Sequence, residues 1–141
     1  MFTRKQLLLL LPLFCMTNIC LKAQNNKVLF DSRLKMFVYN YVEKPPAFPG
    51  GEEALAKYLS KIRYPKEQVD LQGKINLSFV VDTAGNLLDK CILGKEQSAY
   101  TLLDKEGIAL LDKMPKWVPG KQDGRKVAVR FYLPMNVCLQ E

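Results

Sequence analysis

The most constraining feature of this sequence is a long alternating stretch near the carboxy terminus, residues 127–139. Its odd-numbered positions are all apolar, which predicts a β-strand with one buried face. Pro134 lies in the middle of the stretch. Because proline has no backbone N–H to donate to a neighbouring strand, we predict that this strand borders its sheet and that position 134 faces outward.

The outward edge of the predicted strand is the candidate functional site. Along a strand the backbone groups of alternate residues point to opposite sides, so Arg130, Tyr132 and Asn136 should face outward together with Pro134. Such an edge can accept an extended peptide as an additional strand. We therefore predict that Arg130, Tyr132 and Asn136 bind a partner. The alternative is a protected edge with no partner, since a proline and a charged residue both discourage edge pairing.

The remaining periodicity predicts two more strands and two helices. Residues 74–82 alternate strongly, and the turn sequence 82–86 leads into a return strand over 87–93. Apolar residues at helical spacing predict one helix from Glu52, ended by Pro65, and another over 100–114. We expect an α+β, two-layer domain. Its three-stranded antiparallel sheet has the order 2-1-3, with both helices on one face.

Several positions carry narrower expectations. Leu87 and Ile92 can share a face of their strand only if a β-bulge intervenes, so the orientation of Cys91 stays open. The only tryptophan, Trp117, lies between two prolines and is expected to fill the core beneath a loop. Phe37, Tyr39 and Tyr41 fall on one side of a short possible strand; we favour a packed strand face over a stacking platform for a base or sugar.

The amino terminus has the order of a secretory signal. Arg4 and Lys5 precede an apolar run over residues 7–21, and Ala23 follows. We expect a signal peptide over residues 1–23, cleaved after Ala23. A short membrane anchor is the alternative, although a 15-residue helix is only about 22 Å long, less than the hydrocarbon layer of about 30 Å. Residues 24–47 are then a linker with a possible short strand, and 48–141 form the folded domain.

Composition excludes several classes of function. The chain has no histidine, which removes Ser-His and Cys-His nucleophile pairs and histidine metal sites. Outside the targeting segment only Cys91 and Cys138 remain, too few for a four-cysteine zinc site. We therefore expect no enzyme activity, no cofactor and no metal. The net charge falls from +7 to +4 once Arg4, Lys5 and Lys22 are removed, which does not require a nucleic-acid partner.

The order of motifs along the chain resembles a known family. The motifs are Phe48-Pro49-Gly50-Gly51, Tyr64-Pro65, Gly73, Phe79-Val80-Val81-Asp82 with Gly85, Met114-Pro115-Lys116-Trp117-Val118-Pro119-Gly120-Lys121 and Leu133-Pro134-Met135-Asn136. Over residues 42–140 this order resembles the carboxy-terminal domain of TonB energy transducers, particularly the Bacteroidetes type.

The resemblance implies a periplasmic domain that grips the TonB box of outer-membrane receptors by adding it as a strand, in support of energy-coupled transport. ExbB/ExbD are implied partners if the amino-terminal segment remains as an inner-membrane anchor. The sequence has no proline-rich spacer: fully extended, residues 24–49 reach only about 85 to 95 Å. The alternative is a stand-alone structural domain that forms a homodimer or binds the envelope. Binding of an anionic polymer through Lys113, Lys116, Lys121, Arg125, Lys126 and Arg130 is a third possibility.

Overall fold

The computed structural model of the chain describes residues 28–62 and 73–137. The expected signal peptide and its cleavage site, Pro65 and Cys138 therefore lie outside the described residues. The elements in chain order are β1 (Val28–Asp31), β2 (Met36–Tyr39), α1 (Gly51–Leu59), β3 (Gly73–Val81), β4 (Leu87–Ile92), α2 (Leu102–Asp112), β5 (Gly120–Gln122) and β6 (Arg125–Val137).

The strands form one mixed, curled sheet. Its order is β1-β2-β6-β3-β4, and β5 pairs with the first residues of β6. β2 runs parallel to β6, whereas the other neighbours are antiparallel. The predicted three-stranded antiparallel sheet with order 2-1-3 is therefore wrong. Neither β1 nor β5 was predicted: β1 is mostly exposed on both faces and so shows no alternation, and β5 has only three residues, too few to show a period.

The main core lies between the helices and one face of the sheet. Nine residues of β3 pair with β6, from Gly73 opposite Val137 to Val81 opposite Val129. The side chains of residues 75, 77, 79 and 81 of β3 and of 131, 133 and 135 of β6 face the helices and pack with apolar residues of α1 and α2. Trp117 lies at the centre, with its ring centroid 5.8 Å from Phe48, 5.2 Å from Phe79 and 5.1 Å from Phe131. Its predicted packing role is confirmed.

A β-bulge in β4 assigns its side chains to the two faces. Val80 pairs with Leu88 but Ser78 pairs with Cys91, so β4 has one extra residue between these pairs. Asp89 lies in the extra stretch and has a φ of 48°. The bulge brings Leu87 and Ile92 to the helix side and leaves Cys91 on the opposite face, half-buried and free.

The opposite face of the sheet has a smaller core of its own. Val38, Val80 and Ala128 are buried there, surrounded by Leu34, Met36 and Leu88. Val38 therefore attaches the β1–β2 hairpin to the sheet. The aromatic side chains of the hairpin behave differently: Phe37 is 64% exposed, and Tyr41, which follows β2, is 73% exposed. The expectation that these two aromatics pack in a strand face is wrong.

Helix α2 begins at a capping box. The Thr101 hydroxyl accepts a hydrogen bond from the Asp104 N–H, and the Asp104 carboxylate accepts one from the Thr101 N–H. The Lys95 ammonium lies 2.7 Å from the same carboxylate. Burial alone would raise the pKa of Asp104, but the hydrogen bonds from Lys95 and Thr101 outweigh it and lower the pKa.

Two glycines allow a matched test of backbone packing. Gly85 has a φ of +86°, and a Cβ there would overlap the carbonyl oxygen of Trp117. We expect Gly85→Ala to lower the free energy of unfolding by more than about 2 kcal/mol. A Cβ at Gly107 in α2 would lie 3.4 Å from Leu77 Cδ2, an ordinary contact. Gly107→Ala should therefore raise the free energy by up to about 1 kcal/mol. Urea unfolding measures the free energy of unfolding of both variants. A change of the same sign in the two variants would contradict this packing.

The lowered pKa of Asp104 predicts an acid-sensitive helix start. Because the folded-state pKa lies below the ordinary value of 3.8, the stabilisation is present above pH 4 and is lost as the pH falls through the folded pKa. We expect Asp104→Asn to lower the free energy of unfolding at pH 7 by about 1 to 3 kcal/mol and to weaken its acid dependence. Asp112→Asn, at an exposed partner of Lys90, is the control and should change little. If the free energy of unfolding of Asp104→Asn falls with decreasing pH as steeply as that of the wild type, the prediction is refuted.

Candidate strand-docking site

β3 occupies the inner edge of β6 over residues 129–137. The Leu93 N–H donates to the Asn76 carbonyl at 2.8 Å, so the backbone groups of Asn76 point toward β4. Pro134 lies directly opposite Asn76 in the β3–β6 ladder. In an antiparallel pair the backbone groups of two opposed residues point either toward each other or both away from each other, so Pro134 faces away from β3. The predicted outward orientation of Pro134 is confirmed.

The outer edge of β6 is divided into two parts. β2 pairs with it at Ala128 and Val129. Beyond these residues, no strand of the described chain pairs with the outer edge over 132–136. The expectation that the whole strand borders the sheet is therefore wrong for the amino-terminal half of β6. It holds only for the half that contains Pro134.

Tyr132 and Asn136 present their backbone groups on this open half. Both have the same parity as Pro134, so their N–H and C=O groups face outward. The Tyr132 side chain is 49% exposed, and Asn136 is exposed as well. Between them Leu133 and Met135 turn their side chains into the core. The edge thus offers free main-chain groups on a strand whose other side is held by β3.

Arg130 has a different environment from the other two predicted site residues. Its guanidinium donates to the Asp31 carboxylate at 3.2 Å and to the Asp89 carboxylate at 2.9 Å. Arg33 reaches the same oxygen of Asp89 at 3.0 Å. We call Arg130, Asp31 and Asp89 the arginine clamp, because it joins the β1–β2 hairpin to β6 and to the bulge of β4. A role for Arg130 in partner binding remains a prediction.

Asp31 is held ionised within the clamp. Its carboxylate accepts hydrogen bonds from the N–H groups of Leu34 and Arg33, at 3.2 Å and 2.9 Å. The Leu34 N–H is the main cause of a lowered pKa for Asp31; burial acts in the opposite direction, and the charges of Arg33 and Arg130 lower the pKa further. Arg130 therefore has an anionic partner at neutral pH.

Sequence reasoning missed the clamp because its members are far apart along the chain: Arg130 lies 99 residues from Asp31 and 41 from Asp89. No periodicity connects such positions. A signal for a cover over the second face was present, however. Phe79, Val80 and Val81 are consecutive apolar residues, a pattern typical of a strand that is buried on both sides.

The chemistry that the described part of the chain offers at this edge is that of main-chain hydrogen bonding. In the described ranges 28–62 and 73–137 there is no group of three or more potential metal ligands among Cys, Asp and Glu. The helices described there include none that is long and apolar enough to cross a bilayer. What β6 does offer is a row of main-chain donors and acceptors of fixed direction.

Comparison with protein families identifies the chain. A family model described as the Gram-negative bacterial TonB protein C-terminal domain matches residues 60–136. The chain belongs to this family. The resemblance seen in the sequence is thereby confirmed. Searches of curated proteins and of solved structures found no match.

Membership of the TonB carboxy-terminal family defines the general role. The family consists of non-enzymatic energy transducers and protein-interaction domains, which confirms the prediction that the chain is not an enzyme. A TonB-type role in energy-coupled transport follows. Domains of this family are typically periplasmic and interact with outer-membrane receptors. The matched residues include β6 but not the β1–β2 hairpin.

Breaking the arginine clamp should release the hairpin. In Arg130→Met the carboxylates of Asp31 and Asp89 lose their shared cation, and we expect the free energy of unfolding to fall by about 1 to 3 kcal/mol. Amide hydrogen exchange of Leu29 and Val38, whose backbone groups pair β1 with β2, should accelerate about tenfold, which corresponds to about 1.4 kcal/mol. Lys126→Met, at an exposed position of the same strand, is the control. Unchanged protection of the hairpin in Arg130→Met would show that the clamp does not hold it.

Proposed function

We propose that this chain is a periplasmic peptide-binding module of TonB type that docks the TonB box of outer-membrane receptors by strand addition to β6. The observation that carries the proposal is the open outer edge over residues 132–136, in a domain whose family interacts with such receptors. Docking in this way supports energy-coupled transport, because a load on the receptor segment is applied to the transducer through β6.

The edge defines what a guest strand must provide. Tyr132 and Asn136 each offer one N–H and one C=O, whereas Pro134 offers only its C=O. A guest of about five residues can therefore form up to about five main-chain hydrogen bonds, two of them as acceptor. The guest carbonyl that faces Pro134 has no N–H to accept from and must accept a hydrogen bond from water instead. Main-chain bonding supplies affinity, and the exposed Tyr132 ring adds a contact for one guest side chain.

The position of β6 suits it to carry a load. Its inner edge is hydrogen-bonded to β3 over nine paired residues, and β3 is buried at the centre of the sheet. A force along a docked strand pulls on this antiparallel ladder along its length, so several bonds resist together. ExbB/ExbD belong to the proposal as the source of the force where residues 1–23 remain as an inner-membrane anchor.

Proline substitution at Tyr132 separates backbone recognition from side-chain contact. Tyr132→Pro removes one outward N–H but no bond to β3, because Tyr132 faces away from that strand. We expect it to weaken binding of a synthetic TonB box peptide about tenfold, as expected for one main-chain bond plus the local strain. Tyr132→Ala keeps the N–H and should weaken binding only about threefold. Isothermal titration calorimetry measures both.

A scrambled peptide and thermal unfolding of each variant serve as controls. A disulfide between Tyr132→Cys, in a chain without its native cysteines, and a cysteine-bearing box peptide provides an independent readout. Equal affinity of the wild type and Tyr132→Pro would argue against main-chain docking on β6. So would cross-linking of the scrambled peptide to the same extent.

A further inference from the structure

The described part of the sheet has three open stretches of strand edge, and β1 is the least protected of them. The open half of β6 contains Pro134, and β4 contains both the bulge at Asp89 and Lys90. Proline, bulges and lysine are devices that prevent edge-to-edge pairing. β1, at the outer end of the sheet, contains none of them. Its one charged residue, Asp31, is occupied by the arginine clamp.

The side chains of β1 form an exposed apolar surface with those of β2. Val28, Leu29 and Phe30 are 37%, 50% and 58% exposed, and Phe37 on β2 is 64% exposed. Phe30 and Phe37 are direct cross-strand partners whose ring centroids lie 5.2 Å apart. Val28, Phe30 and Phe37 lie on one face of the hairpin and are called the hairpin patch, whereas Leu29 shares the opposite face with its partner Val38. The hairpin patch exposes on the order of 300 Å² per chain, in the size range of the largest apolar patches on soluble proteins, which are often interaction sites.

The ladder shows which backbone groups of β1 are free. Val129 pairs with Val81, and its N–H and C=O face β3. The parallel pair between Tyr39 and Val129 must then be bonded through the backbone groups of Tyr39. By alternation the neighbouring residue of β2, Val38, faces β1, and its partner Leu29 faces back toward it. Val28 and Phe30 therefore direct their N–H and C=O groups outward.

We infer that β1 pairs antiparallel with β1 of a second copy of this chain, about a two-fold axis at Leu29. In this register Val28 lies opposite Phe30 of the partner subunit, and Leu29 lies opposite Leu29 of the partner subunit. The outward groups of Val28 and Phe30 then form main-chain bonds in both copies. The register also places the exposed Phe30–Phe37 pair beside Val28 of the partner subunit, so that the aromatic rows of both hairpins become continuous.

Self-complementarity favours a second copy over another occupant. The segment Val28-Leu29-Phe30, paired antiparallel with itself, places an apolar residue opposite an apolar residue at every position. No unpaired charge of β1 enters the contact, because Asp31 is bound by Arg130. Pairing of two strand edges covers only part of each hairpin patch, so the buried area stays below the 1,200 Å² typical of stable complexes. The dimer is therefore weak and concentration-dependent, and it leaves the open half of each β6 available.

Cysteine cross-linking tests the two-fold axis directly. In the full chain with Cys15, Cys20, Cys91 and Cys138 replaced by serine, Leu29→Cys places two thiols on residues whose Cα atoms should lie about 4.5 Å apart, within disulfide range. Phe30→Cys should not cross-link, because the two copies of residue 30 are offset along the strands. Leu93→Cys, a comparably exposed leucine outside the hairpin, is the matched control. We expect a covalent dimer for Leu29→Cys alone.

Sedimentation equilibrium of the chain as cells produce it measures the dimer dissociation constant. The double variant Phe30→Ser with Phe37→Ser should raise this constant at least about tenfold. The control double variant Leu93→Ser with Leu102→Ser should leave it unchanged. Both pairs are exposed, and circular dichroism checks their folding.

Several results would overturn the inference. These are similar cross-linking at residues 29, 30 and 93, a monomer at all concentrations, or cross-linking through Tyr132→Cys, which would place the contact on β6. Binding of the hairpin patch to phospholipid vesicles by a chain that stays monomeric would identify a membrane surface instead. Tyr132→Pro should leave the Leu29→Cys dimer intact, so failure of peptide docking and failure of dimerisation are distinguishable.

Discussion

The antiparallel ladder between β3 and β6 is the interaction on which the rest of the structure depends. β3 is buried on both faces: Leu77, Phe79 and Val81 are fully covered on the helix side, and Ser78 and Val80 are fully covered on the other. A strand of this kind needs a layer on each side. The helices with Trp117 form one layer, and the β1–β2 hairpin, through Val38, forms part of the other. Burial of Val80 thus explains why a hairpin outside the matched family range packs against the domain.

Much of the main core could be predicted from the sequence, because its elements alternate or repeat with a clear period. β3, β6 and α2 lie where periodicity placed them, and the missing N–H of proline was enough to orient position 134. α1 begins near Glu52 as predicted but ends at Leu59, so the expectation that Pro65 ends it is wrong. β1 and β5 could not be found in this way. β1 has no buried face to produce alternation, and β5 has only three residues. The parallel pairing of β2 with β6 depends on the small second core, in which only three apolar side chains of the described residues are buried.

The candidate site was predictable in direction but not in extent. Alternation along β6 correctly separated inward from outward residues, but it could not show that β2 already covers Ala128 and Val129. The side-chain partners of Arg130 were likewise hidden, since ion pairs between distant positions leave no trace in local periodicity. As a result Arg130 shares the backbone orientation of Tyr132 and Asn136 while its side chain serves the internal clamp.

Because the Arg130 side chain serves the arginine clamp, the clamp also bears on the proposed docking of a guest strand. β2 and a guest strand would occupy the same outer edge of β6, one after the other. Because β2 covers the amino-terminal part of this edge, a guest strand could pair only with the residues of β6 that follow. Arg130 lies at the junction, next to the last residue that β2 covers. Its ion pairs with Asp31 and Asp89 keep the hairpin in place. In the proposed docking mode, the length of edge that a receptor segment can use would therefore depend on an electrostatic contact on the opposite face of the sheet from the helices, and not only on the docking residues themselves.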